Sequence, residues 1–236
     1  MPNSLGLDDD LDDVELLETL ERIFEVQISN EEASRISTVG DLFDLLVAKI
    51  PSNGAGQKCM SAMAFYRLRS AIRALGYSDA SAPTSDLGFL EKGKVRAKLK
   101  KIEQSSGLDL PSAIATKPGC IGALLAFITV PVLAYFAFPS AVSVLSGLVA
   151  GLIIGGTVLV YVDPGKLPED CKTLGDLAQK SAALSFGRLV KAGGRHSNQD
   201  IWEALVEALS CYQLKKPEIA RETLLLASQL RKAKTT

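Results

Sequence analysis

Histidine is nearly absent from these 236 residues: His196 stands alone, and the four cysteines, Cys59, Cys120, Cys171 and Cys211, lie far apart with no C-x-x-C pair. That spacing excludes the usual zinc ligand sets and offers no disulfide framework, so no metal ligand is assigned and separate thiols in a reducing compartment are expected. Trp202 is the sole tryptophan, and its place beside Ile201, Leu205, Ala208 and Leu209 predicts helix packing rather than ligand contact. No basic and then apolar run follows Met1-Pro2-Asn3, so any membrane insertion is expected to be directed from inside the chain. The most informative absence is charge: none of the 45 residues from Pro118 to Val162 carries one.

A bilayer core of about 30 Å is crossed by roughly 20 apolar helical residues. Cys120–Phe138 supplies 19 and Ala141–Val162 supplies 22, separated by Phe138-Pro139-Ser140. The proline has no N–H with which to continue the first helix. A transmembrane helical hairpin over 118–163 is therefore expected, because one span or a buried helical pair does not account for an uncharged run twice the length of a span. Lys92, Lys94, Arg96, Lys98, Lys100, Lys101 and Lys117 precede the hairpin, and Lys166, Lys172 and Lys180 follow it. By the positive-inside rule both flanks, and so both termini, face the cytoplasm. Gly147, Gly151 and Gly155 recur every fourth residue and make a flat strip, serving either hairpin closure or homo-oligomerisation. No ionisable residue inside either span marks an ion path.

Charge is sorted along the rest of the chain. Residues 1–50 carry 13 acidic against 3 basic side chains, whereas 51–117 carry 5 against 11 and 163–236 carry 9 against 12, so an acidic head precedes a basic body. Asp9, Asp10, Asp12, Asp13, Glu15 and Glu18 form a face that steers a basic protein partner by long-range attraction. It lacks the spacing and glycine of a calcium loop. Lys94, Lys98 and Lys101 surround the apolar stripe Val95, Leu99 and Ile102, and beside a span they predict contact with anionic lipid headgroups. Without interleaved aromatics or a known motif they do not indicate nucleic acid.

Outside the hairpin the periodicity is helical. Leu11, Val14, Leu17, Leu20 and Phe24 share a face, as do Phe65, Leu68, Ile72 and Leu75, and the fold class expected is all-α. Thr38-Val39-Gly40-Asp41-Leu42 matches Thr173-Leu174-Gly175-Asp176-Leu177, each threonine being placed to cap a helix. A further helical start follows each at similar distance: Ser61 with Phe65-Tyr66 stands 23 residues after Thr38, and Ser197 with Ile201-Trp202 stands 24 after Thr173. An internal repeat is expected.

Leu5-Gly6-Leu7-Asp8, Asp9-Asp10-Leu11, Val14-Glu15-Leu16, Ile28-Ser29-Asn30-Glu31-Glu32-Ala33 and Ile36-Ser37-Thr38-Val39 follow one another over about forty residues. In order and spacing this stretch resembles the second half of an acyl carrier protein. The resemblance puts the serine that would carry phosphopantetheine at Asp10, whose carboxylate cannot form the phosphodiester. Ser4, the nearest serine, lies six positions out of register. A second, diverged copy resembles the same family. Ala62–Leu75 stands for the first helix and Thr84-Ser85-Asp86-Leu87-Gly88 for the approach loop. Lys94–Glu103 with Gly107-Leu108-Asp109-Leu110-Pro111 gives the second helix and its exit, and Asp170–Leu184 the last helix, after the hairpin. Its attachment position falls on Lys92 or Gly93. Ser197–Tyr212 resembles another first helix, so the two ends of the chain are expected to complete one circularly permuted module, within one chain or across two.

The expected organisation is an acidic module lacking its first helix (1–50), a second module with a basic helix (51–117), the hairpin (118–163), the final helix of the second module (164–194) and a segment completing the first (195–236). No catalytic residue and no cofactor are assigned: Ser197 and Asp200 near His196 fit a helix cap better than a triad. The expected function is a non-catalytic, membrane-anchored, carrier-like interaction or scaffold protein. Two alternatives stay open, a true carrier using an unorthodox serine such as Ser4 and an oligomeric structural or pore protein.

Overall fold

A computed structural model describes residues 4–7, 12–51, 58–77, 82–137, 139–210 and 219–226. The chain is mostly helical, as its periodicity predicts. The helices are α1 (Asp12–Phe24), α2 (Asn30–Ala33), α3 (Val39–Lys49), α4 (Met60–Ala74), α5 (Gly88–Glu91) and α6 (Val95–Ser106). After these come α7 (Lys117–Ala137), α8 (Ala141–Thr157) with a π-helical turn Val158–Val162, α9 (Leu174–Leu184), α10 (Phe186–Lys191) and α11 (Asn198–Ser210). Among the described residues are four short strands that periodicity did not foresee, since strands of two to four residues are too brief to alternate. β1 (Ser4–Leu7) pairs in parallel with β4 (Leu224–Leu226), and β2 (Lys58–Cys59) with β3 (Gly194–Arg195).

The chain divides into two compact units, one of residues 1–70, 106–110 and 177–236 and the other of 71–105 and 111–176. Divisions fall inside α4 and α9 and before the last residue of α6, helices that the sequence reading assigns whole to the second module.

In the first unit α1 packs on α10 and α11, and α11 also packs on α3, so the two ends of one chain meet. Leu20, Ile23, Leu42, Leu46, Phe186, Leu205 and Leu209 are fully or almost fully buried there. Each such side chain contributes about 1.5–3 kcal/mol relative to exposure. Phe24 tilts against Phe186 with ring centroids 5.3 Å apart, and Trp202 meets Phe43 edge to face at 5.4 Å. α10 approaches α1 very closely because residue 187 is glycine: a Cβ there would lie 2.2 Å from the Phe24 carbonyl oxygen. α1 ends in a left-handed residue, Glu25 at φ 50°, which lets the Val26 N–H donate back to the Glu21 carbonyl (3.3 Å).

In the second unit Leu87, Leu90, Val95, Leu99, Ile102 and Leu174 are buried. α6, which begins in this unit, is followed by a left-handed residue, Gly107 at φ 65°, that belongs to the first. In chain order α2 lies between the exit of α1 and the cap of α3. The much longer α7–α8 pair occupies the corresponding stretch between the exit of α6 and the cap of α9.

Candidate functional site: the apolar hairpin and its foot

Lys117–Ala137 and Val142–Val162 are each 21 residues long and apolar enough to cross a membrane. At 1.5 Å per residue each measures about 31 Å, the thickness of a hydrocarbon core. They are not the core of their unit: Leu124, Leu133, Phe136, Val142, Leu145 and Leu152 all face outward, Phe136 at 78% exposure. An apolar surface this extensive marks an interaction with membrane or protein rather than with water.

The turn forms because α7 ends at Ala137 before Pro139, and the Ser140 hydroxyl accepts the Ser143 N–H (3.2 Å) to start α8. The glycine strip of α8 is used inside the hairpin. A Cβ on Gly147 would fall 2.6 Å from the Pro131 Cα, one on Gly151 3.2 Å from the Ala126 carbonyl, and one on Gly155 3.0 Å from the Ala123 carbonyl. Of the two uses left open by sequence, the geometry places this strip against α7.

Three chain segments are knotted at the polar end of the pair. Ile114 and Lys166 exchange two backbone hydrogen bonds of 2.9 Å each. Thr116 caps α7, its hydroxyl accepting the Gly119 N–H at 3.1 Å, and both its hydroxyl and its N–H donate to the Asp163 carboxylate. α6 is tied in by its first turn: the Val95 N–H donates to the Pro164 carbonyl at 2.8 Å. One Arg96 nitrogen donates to the Leu159 carbonyl at 2.6 Å, and another lies 3.8 Å from Asp163. The π-helical turn leaves its carbonyls out of α-helical register, and Arg96 satisfies one of them.

The Asp163 side chain is fully enclosed. Its carboxyl is held below the usual range first by the Thr116 hydroxyl, then by the Thr116 N–H, the Arg96 charge and the Gly165 N–H, which together outweigh the opposing effect of burial. Gly119 makes room for it, since a Cβ there would sit 2.5 Å from its oxygen. Sequence reasoning overlooked Thr116 and Asp163 and counted Arg96 only as part of the basic cluster. The available signal was Asp163 as the first charge after the uncharged run, an acid where basic residues prevail.

The basic cluster is not uniformly free. The Lys98 ammonium donates to the carbonyls of Phe89 (2.7 Å) and Lys92 (2.6 Å) and stands 5.5 Å over the Tyr77 ring. Lys98 thus caps the α5–α6 bend. Lys94 and Lys101 are exposed, as is Lys92 at the end of α5. On the acidic helix Glu15 and Glu18 are exposed, while Asp9 and Asp10 lie outside the described residues, as do the side chains of Asp12 and Asp13.

The Ser197 hydroxyl donates to Asp200 (2.7 Å) and accepts its N–H (3.3 Å), while His196 packs edge-on to Phe186 with Nδ1 buried and unbonded. The serine is therefore occupied as the cap of α11 rather than directed at the imidazole. Cys59 is exposed, with its thiol pushed down chiefly by the Ser61 hydroxyl 3.0 Å away. Among the described residues no group of three or more His, Cys, Asp or Glu is placed to hold a metal ion.

No protein-family model, curated protein or solved structure matches this chain.

Proposed function

We propose that the protein is a membrane-anchored, non-catalytic scaffold whose carrier-like helical modules hold a basic protein partner at the cytoplasmic face of a bilayer. The observation that carries this reading is the outward-facing apolar surface of α7 and α8, two helices of spanning length set into an otherwise water-compatible chain. Both ends of the pair leave from one foot, so both flanks lie on one side, and the lysines there favour the cytoplasm. The exposed Glu15 and Glu18 on α1 supply the steering charge. The glycine strip, being taken up between α7 and α8, is not offered to a pore-forming oligomer.

Two measurements test the reading on full-length protein. Alkaline carbonate should leave it in the membrane fraction, and extraction into the supernatant would remove the anchor. Pull-down at low ionic strength should recover a partner that is lost at high salt and lost with Glu15→Lys/Glu18→Lys. Recovery of nothing would remove the scaffold. The intact mass decides against the carrier alternative if it shows no phosphopantetheine-sized adduct, and an adduct would overturn the scaffold reading in favour of a true carrier.

A further inference from the structure

The foot of the hairpin gathers three lysines that are remote in sequence. Lys94 precedes Val95, which is bonded to Pro164, and Lys117 follows Thr116, which is bonded to Asp163. Lys166 is paired with Ile114 through both backbone groups. Each is thus within one residue of the same knot, and the knot is where the two apolar helices become polar chain. Lys94 and Lys117 are exposed and the Lys166 side chain is 39% exposed.

Among the described residues no carboxylate lies within ion-pair distance of Lys94 or Lys117, and Lys166 meets only Glu169. Asp163, the enclosed acid of the knot, is satisfied by Thr116 and faced by Arg96. Lys166 has the Glu169 carboxylate at 3.4 Å, but that side chain is 88% exposed and such solvated pairs contribute little. Anionic groups at the depth of a membrane headgroup layer would meet three ammoniums at the point where the helices enter the hydrocarbon. Lysine suits this place because its long apolar stem follows the helix surface while its head stays in the polar layer.

Resting on the membrane-anchor reading above, we infer that Lys94, Lys117 and Lys166 form a binding site for anionic phospholipid headgroups at the hairpin foot. The cluster expected from sequence, Lys94, Lys98 and Lys101, is replaced by one that only the folded foot assembles. Arg96 is a positioning residue in it, fixing the start of α6 to the hairpin exit.

The test uses full-length protein. Flotation with phosphatidylcholine vesicles reports anchoring alone. Native mass spectrometry from micelles containing equal phosphatidylglycerol and phosphatidylcholine reports which lipid stays bound. The wild type should float, and should retain the anionic lipid at least about tenfold over the zwitterionic one, as three surface lysines contributing severalfold each would give. K94Q/K117Q/K166Q should still float and lose that preference. R35Q/K58Q/R195Q, which removes the same charge from the other unit, should keep it. Failure of the wild type to float overturns the anchor itself. Flotation with equal retention of the two lipids overturns the site while leaving the anchor standing, and this needs no variant to fold. An equal loss of preference in the control triple variant overturns the assignment to these three lysines.

Discussion

The caps of α3 and α9 are built alike from material at opposite ends of the chain. At α3 the Asp41 carboxylate accepts the N–H groups of Ser37 (3.0 Å) and Thr38 (2.9 Å), and at α9 Asp176 accepts those of Lys172 (3.1 Å) and Thr173 (2.8 Å). In each a glycine then lets an extended segment approach. The Val39 and Gly40 N–H groups donate to Thr223 and Arg221, and those of Leu174 and Gly175 donate to Ser85 and Pro83. The return bonds also correspond, Leu225 to Ser37 and Leu87 to Lys172. In one case the docked segment comes more than 170 residues after the cap, and in the other more than 80 before it. The Thr-x-Gly-Asp turn therefore defines a backbone receptor for which chain order is immaterial. This gives physical content to the permuted-module proposal: a segment and its receptor keep their geometry when the connection between them is moved.

The strongest way to break the comparison is to fill the receptor. A Cβ on Gly40 would lie 2.9 Å from the Arg221 carbonyl oxygen and one on Gly175 3.0 Å from that of Pro83. Gly40→Val and Gly175→Val should each destabilise by about 2–3 kcal/mol in chemical denaturation. In Gly40→Val, protease cleavage near 219–226 should also accelerate. One silent variant would mean that the two receptors are not equivalent.

Removing the caps is the next largest test. Thr38→Ala and Thr173→Ala should each cost about 1 kcal/mol in the same assay. A difference well beyond a few tenths would show that the surroundings, not the cap, carry one of them.

The two docked segments differ in their anchors, which sharpens the comparison. Arg221 pairs with Asp44 at 2.6 Å and lies 4.9 Å over the Phe43 ring, whereas its counterpart is Pro83. Both Arg221 contacts are near solvent, so Arg221→Ala should cost about 0.5–1 kcal/mol, with that loss reduced at high salt. Pro83→Ala should be unaffected by salt.

Acid is the mildest probe. Burial alone would raise the Asp41 carboxyl, but the Ser37 and Thr38 amides, the Thr38 hydroxyl and Arg221 bring it below its ordinary 3.8. Asp176 is lowered first by the Thr173 amide, against burial, and then by the Thr173 hydroxyl and the Lys172 amide. A carboxyl depressed in the folded state binds its proton more readily when unfolded. Its stabilisation is thus complete above about pH 3.8 and is lost as pH falls through the lower folded value. Thermal unfolding of Asp41→Asn and Asp176→Asn should show a shallower fall in stability below that pH than the wild type.

Sequence revealed what is decided locally. The Thr38 and Thr173 caps depend on four adjacent residues, and the buried face of α11 repeats at helical spacing, so both were legible. The uncharged run gave the helical pair and its turn at Pro139. Docking of Ala220–Leu225 was not legible in its detail, because backbone groups carry no residue code for their distant partners. The bonds of Lys98 were not legible for the same reason: its acceptors are the main-chain carbonyls of Phe89 and Lys92. The glycine strip announced close approach but not its partner, since Ala123, Ala126 and Pro131 have no pattern that marks them as the opposing face. Glu25, standing after α1 as Gly107 stands after α6, concealed a matching left-handed helix end.

The reciprocal bond between Ile114 and Lys166 brings the ends of the hairpin insertion together. To the remainder of the chain, everything between them is equivalent to a tight turn, and its length adds little closure entropy. An element with touching ends can be acquired, lost or exchanged in a single event without rethreading its host. Excising 115–165 and joining the ends with a short glycine-rich turn should thus leave a chain without the long outward-facing apolar surface of α7 and α8. In this molecule the apolar hairpin is closed at its base, so its length and sequence can change independently of the helices that flank it.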